Sequence, residues 1–255
     1  MEKTKIFMPT ESARQYPLMV ALPGLVSEDE PTRIDSVLEE LRRNKIIGIR
    51  LNYVKKEDRG ETIAYNFDMV ETAQNIEKVI EIALKELNAD QDRIGLISNS
   101  ISAFPVTQYL IRNQLSGGKT RIKVYASISP LVGWNYFINK ETREFIEKER
   151  IDIVINGNNS MKKKVIPKEI IPEMMRMDAL KDLESYHPDE MEVMTVLGNR
   201  DRKASPDSMR RYHFILGGKE ENLISLDTDH EVPNSNQYVT KFIIKNLTNH
   251  VNSAP

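Results

Sequence analysis

Short apolar runs alternate with longer amphipathic stretches along this chain, and the spacing of apolar positions changes from one to the next. Residues 18–22 (LMVAL) are unbroken apolar and close on Pro23-Gly24, the pattern of a strand buried on both faces. Residues 32–44 place Ile34, Val37, Leu38 and Leu41 at helical spacing, and residues 46–51 form a second buried strand. The polar stretch 52–68 shows neither period. Residues 69–87 then read as a helix with Val70, Ala73, Ile76, Val79, Ile80 and Ala83 turned inward. A third strand over 92–98 feeds a helix over 101–113, and a fourth over 122–129 ends at Pro130. Residues 193–197 and 223–226 read as short strands, and 236–246 as the last helix.

Strand followed by helix, repeated, predicts an α/β fold: a right-handed, doubly wound, mostly parallel sheet. Residues 134–186 break the rhythm. They hold a charged helical stretch (139–150), a β-prone run (151–155) followed by Asn156-Gly157, and a further helical stretch (168–184). Asn-Gly after a β-prone run is a hairpin turn signal. The expected organisation is a core of residues 1–133 and 187–255, with a small cap inserted over residues 134–186 above the C-terminal edge of the sheet.

Composition narrows the function classes. The 255 residues are 40% hydrophobic and 29% charged, which suits one globular domain. A formal charge of -2 gives no support for a nucleic-acid partner, and Lys162-Lys163-Lys164, the one basic cluster of note, reads as a solvated turn. With no cysteine, disulfides, thiol catalysis and cysteine-bound zinc are excluded. No stretch reaches the ~18 apolar residues of a membrane span, and the N-terminus lacks a signal-peptide pattern, so a soluble cytoplasmic protein is expected. No metal-ligand cluster is apparent, and Gly117-Gly118 lies in a polar loop rather than at a strand–helix turn, so no cofactor is expected.

The candidate chemistry begins in IGLISNSISA, residues 94–103, where a strand runs into a helix. A nucleophile placed on such a turn needs small residues two positions before and after it, because those positions come close together. Ser98 is flanked by Leu96 and Ser100, and Ser102 by Ser100 and Phe104. Ser100 alone has small residues, Ser98 and Ser102, on both sides. Taken in isolation, a polar helix N-cap is the plainer reading. A serine nucleophile also needs a base and a carboxylate to orient it. Of the four histidines, His187 precedes Pro188, His250 lies in the tail, and His213 sits within a helical stretch that suits packing. His230 follows a strand in the polar loop SLDTDHEVPN, and Asp201 follows another strand in LGNRDRKASPD. Asp207 is the alternative acid, with a helix N-terminal charge as its blander role.

The order Ser, Asp, His resembles that of the α/β-hydrolases. LGNRD is similar to the strand-end H-G-x-x-D segment of that superfamily, with Leu197 in place of the His, and DTDH to its G-A-x-H segment. ALPGL resembles the H-G-x loop after an early strand, with Pro23 in place of the His, and IRLNYVKKEDRGE parallels a D-x-R-G-x-G stretch. The likeness covers nearly the whole chain. It is closest to small esterases of the feruloyl and cinnamoyl type, while the Ser-x-Ser-x-Ser elbow also resembles the acyl-transferring thioesterases of bacterial bioluminescence.

The resemblance implies an α/β-hydrolase fold with Ser100 as nucleophile, His230 as base and Asp201 as its acid. It also implies an oxyanion hole from the backbone N–H groups of Leu25 and Ile101, each contributing ~3 kcal/mol. The implied substrate is a small-molecule carboxylic ester or thioester. An acyltransferase using the same acyl-enzyme, or a catalytically silent binding protein on this fold, are the alternatives. Trp134, Tyr136, Phe137, Met174, Met175 and Met177 are candidates for the acyl pocket, or else pack the cap onto the sheet. Serine in place of both elbow glycines adds atoms where the turn is tightest.

Overall fold

The computed structural model describes residues 4–25, 32–118, 122–133, 153–155, 163–188 and 190–248. The central sheet contains β1 (Thr4–Phe7), β2 (Tyr16–Leu22), β3 (Ile47–Leu51), β6 (Ala89–Asn99), β7 (Ile122–Ile128), β10 (Glu192–Gly198) and β11 (Leu223–Leu226). Their spatial order is β1-β3-β2-β6-β7-β10-β11. β1 runs antiparallel to β3, and every other pairing in this sheet is parallel. β1 escapes the hydropathy pattern because an edge strand buries little: of its four residues only Phe7 is buried.

Helices cover both faces. Alternate residues of a strand point to opposite sides, so Met19 and Ala21 pack on one face and Leu18, Val20 and Leu22 on the other. The first face receives α1 (Arg33–Arg43) through Ile34, Val37, Leu38 and Leu41, and the C-terminal helix α5 (Ser235–Thr248) through Val239, Phe242, Ile243 and Leu247. The second receives α2 (Met69–Glu86), α3 (Ala103–Leu115) and α4 (Pro206–Ile215). Thr32 and Asp35 close a reciprocal capping box at the start of α1. On α2 the inward face is as expected except at one end: Val70 is half exposed and Met69 is buried in its place.

The polar stretch 52–68 is not irregular. It folds into an antiparallel hairpin of β4 (Val54–Asp58) and β5 (Thr62–Phe67), turning at Gly60, whose φ is +79°. Only Val54, Ala64, Tyr65 and Phe67 of these strands are buried, so charged positions mask the alternation. The Asp58-Arg59-Gly60 motif lies at this exposed turn. A second, four-stranded sheet forms in the order β4-β5-β9-β8, with β8 (Ile153–Ile155) and β9 (Lys163–Ile166) antiparallel. The residues between them, 156–162, lie outside the described residues, as does the charged stretch 139–150. Lys163 and Lys164 belong to β9, where the sequence suggested a turn. The later helical stretch is broken into short pieces at Lys168–Ile170, Ile171–Met174, Ala179–Asp182 and Leu183–Ser185. Pro172 permits a helix to start but not to continue through it, and Asp178 starts a new one by accepting a bond from Lys181 N–H. Among the described residues, no helix is long and apolar enough to cross a membrane.

Candidate active site

β6 ends at Asn99 and α3 begins at Ala103, leaving three residues, Ser100–Ser102, to turn the chain. Ser100 takes φ +58°, the left-handed region that costs a non-glycine residue about 1 kcal/mol or more. This conformation lifts its side chain out of the turn, whereas Ser98 and Ser102 are fully buried. The loop after β2 passes close by. A Cβ built on Gly24 would lie 3.2 Å from Asn99 Nδ2 and 3.6 Å from the Ser100 Cβ, so the loop carrying Leu25 is seated against the elbow. Leu25 is half-buried, and Ile101 follows Ser100 within the turn and is buried.

Both flanking hydroxyls have partners. Ser102 Oγ accepts from Asn99 N–H at 2.8 Å and faces the carbonyls of Leu22 (2.9 Å) and Asn99 (3.0 Å). Ser98 begins a buried chain of hydroxyls. With Thr107 Oγ1 donating to the Ala103 carbonyl at 2.8 Å, the protons fall in one order. Tyr212 donates to Thr107 (2.7 Å), Tyr125 to Tyr212 (3.0 Å), and Ser98 to Tyr125 (2.6 Å). Burial pushes the Tyr125 phenol up to about 12 and Tyr212 well above its ordinary value, which keeps both as donors. The extra atoms of the two serines are thus absorbed without a buried unpaired group.

Asp201 and His230 reach the elbow from the ends of β10 and β11. Asp201 Oδ1 accepts from the backbone N–H groups of Lys203 (2.7 Å) and Ala204 (2.9 Å). Its Oδ2 lies 2.7 Å from His230 Nδ1, and His230 Nε2 lies 2.9 Å from Ser100 Oγ. Burial opposes ionisation of Asp201. The bond and charge of His230 and the two backbone N–H groups outweigh it and hold the carboxyl below its ordinary value. An ionised carboxylate only accepts, so Nδ1 carries the imidazole proton and Nε2 accepts the Ser100 hydroxyl proton. The Asp201 side chain is fully buried and that of His230 is 13% exposed.

Two further residues support this arrangement: Ser129, which carries no obvious sequence signal, and Gly198, the glycine of LGNRD. Ser129 Oγ donates to the His230 carbonyl at 2.8 Å, and Gly198 lets the histidine loop close against β10. Arg200 N–H and Asn199 N–H bond the carbonyls of Thr228 (2.9 Å) and Leu226 (2.8 Å), tying the Asp201 and His230 loops together. A cleft of about 500 Å³ beside His230 is lined by Arg200, Arg202, Lys203, Asp229 and Glu231.

The remaining candidates among the described residues have other surroundings. Asp207 is exposed in the first turn of α4 and pairs with Arg210 at 3.1 Å. His213 is buried between Thr195 and the Lys219 carbonyl, each 3.0 Å away, and His187 is exposed. Met174 and Met177 are buried in the larger core cluster, while Met175 is 44% exposed. Trp134, Tyr136, Phe137 and His250 lie outside the described residues. Among the described residues, no group of three or more acidic or histidine side chains is placed to hold a metal ion.

No protein-family model matches the sequence, and no curated protein is significantly similar to it. Solved structures are similar over almost the whole chain. Est1E from Butyrivibrio proteoclasticus, in a complex with ferulic acid, superposes with a TM-score of 0.66 at 14% identity, covering 95% of this chain and 92% of that one. A lipase/esterase from Lactobacillus plantarum gives 0.58 at 12% identity, covering 95% and 91%. An esterase from Rhizomucor miehei gives 0.60 at 14% identity, covering 96% and 78%. The fold is that of the α/β-hydrolases.

Proposed function

We propose that this chain is a serine hydrolase that cleaves a carboxylic ester or thioester through an acyl-Ser100 intermediate. The observation that carries the reading is the continuous line of hydrogen bonds from Asp201 through His230 to a Ser100 held at φ +58° on a strand–helix turn. The esterases and lipases among its structural neighbours support the same class.

In this reading Ser100 Oγ attacks the acyl carbon as its proton passes to His230 Nε2. The oxyanion is held by the N–H groups of Ile101 and Leu25, which lie on the elbow and on the loop seated against it. Asp201 stays ionised and stabilises the imidazolium, consistent with its lowered pKa. The imidazolium then protonates the departing alkoxide or thiolate as the carbon–oxygen or carbon–sulfur bond breaks. Water, deprotonated by the same nitrogen, frees the acyl group and returns Ser100 to its hydroxyl form.

A fluorophosphonate probe tests the reading directly. Wild-type protein labels at Ser100 and turns over p-nitrophenyl esters, with the acyl length that maximises kcat/KM defining the pocket. Ser100→Ala does neither. A folded wild-type sample that takes up no label would overturn the assignment, and turnover that rises with added alcohol or thiol acceptor would redirect it to acyl transfer.

A further inference from the structure

We infer that Ser102 is a positioning residue that sets the spacing between the two halves of the oxyanion hole. This rests on the hydrolase reading above. The two N–H donors come from different segments, Ile101 from the elbow after β6 and Leu25 from the loop after β2. An oxyanion is bound well only when both donors lie about 2.7–3.1 Å from where it forms, so something must fix one segment against the other.

The β2–β6 ladder stops at the Leu22–Ser98 pair. Pro23, next in the chain, has no N–H with which to extend it. Ser102 Oγ bridges this point: it lies 2.9 Å from the Leu22 carbonyl, the last one before the Pro23-Gly24-Leu25 loop, and accepts from Asn99 N–H, directly before the nucleophile. Fully buried, the hydroxyl shares its one proton between the Leu22 carbonyl and the Asn99 carbonyl at 3.0 Å, so its bonds together span the β2 end and the elbow. The loop also runs beside the elbow here, since a Cβ added at Gly24 would come within 3.2 Å of Asn99 Nδ2 and 3.6 Å of the Ser100 Cβ. The Ser102 bond to the Leu22 carbonyl therefore limits movement of the Leu25 segment away from the elbow. Serine here is a tie that glycine cannot supply.

Ser102→Ala keeps the Cβ and deletes the tie, while Ser102→Gly deletes both. For each, kcat and KM on a p-nitrophenyl ester, the Ki of a trifluoromethyl ketone that forms a tetrahedral adduct, and the melting temperature are compared with wild type. Both variants are expected to lose about tenfold or more in kcat, with KM unchanged within about twofold and the ketone Ki rising in step with the loss. Unchanged kcat in a folded variant overturns the inference, as does a rise in KM alone. Unfolding of both variants also overturns it, since the hydroxyl would then serve the fold rather than the donors. Wild-type labelling and turnover are read first. Failure there strikes the hydrolase reading, whereas an active wild type with equally active variants strikes Ser102 alone.

Discussion

Gly198, the last residue of β10, sits so close beneath the Asp229 carbonyl that a Cβ there would stand 2.1 Å from the oxygen. A real Cβ never approaches a backbone oxygen so nearly, so any side chain at 198 forces apart the loops carrying Asp201 and His230. Gly198→Ala is expected to cost about 1–3 kcal/mol of stability by overpacking, read in urea denaturation. The same variant should lose at least about tenfold in kcat, because the His230 imidazole moves off the Ser100 hydroxyl.

Ser100 holds a backbone conformation that suits glycine better than serine. Ser100→Gly is expected to be inactive yet more stable than Ser100→Ala by about 1 kcal/mol, a rise of about 2–4 °C in Tm. Alanine removes the hydroxyl but keeps the strain, so the difference between the two variants isolates the backbone contribution. Equal melting temperatures would show that the turn is unstrained.

Asp201→Asn is expected to lower kcat about 10³–10⁴-fold, because a neutral amide neither fixes the Nδ1–H tautomer nor stabilises the imidazolium. Asp207→Asn should stay within about twofold of wild type, since Asp207 is exposed and paired with Arg210. Steady-state kinetics on both variants separates the two carboxylates. A large effect at position 207 would reassign the acid.

His213 predicts a pH dependence of stability separate from catalysis. Burial lowers its pKa below the ordinary 6.5, outweighing the Lys219 carbonyl and Glu220, which favour the charged form. Bonding to that carbonyl leaves Nδ1 to accept from the Thr195 hydroxyl. The unfolded chain therefore takes up the proton more readily than the folded one. The stabilisation is complete above pH 6.5 and declines as the pH falls from there towards the lowered folded value. Urea denaturation across that window should show a smaller acid-side loss for His213→Gln than for wild type.

Much of the framework is legible in the chain. The buried strands announce themselves as apolar runs because a strand covered on both faces must find a partner for every polar side chain it buries. Ser100 is separable from its neighbours by the size of its flanking residues, a steric demand local to the turn. Less legible were β1 and the β4–β5 hairpin, where one exposed face lets charged residues hide the alternation. The helical stretch after β9 also reads as continuous, although Pro172 and the Asp178 cap divide it.

What the sequence determined by itself is the order of the buried core strands and their covering helices and the shortlist of Ser100, Asp201 and His230, since periodicity and turn sterics are local properties. Tertiary structure alone decided which partners absorb the other hydroxyls. Ser98 finds Tyr125, 27 residues on, Ser102 finds Leu22, 80 residues back, and Ser129 finds His230, 101 residues on. Such pairings depend on which strand ends the sheet order places side by side. A hydrogen bond is won or lost over a few tenths of an ångström, a distance that no spacing along the chain encodes.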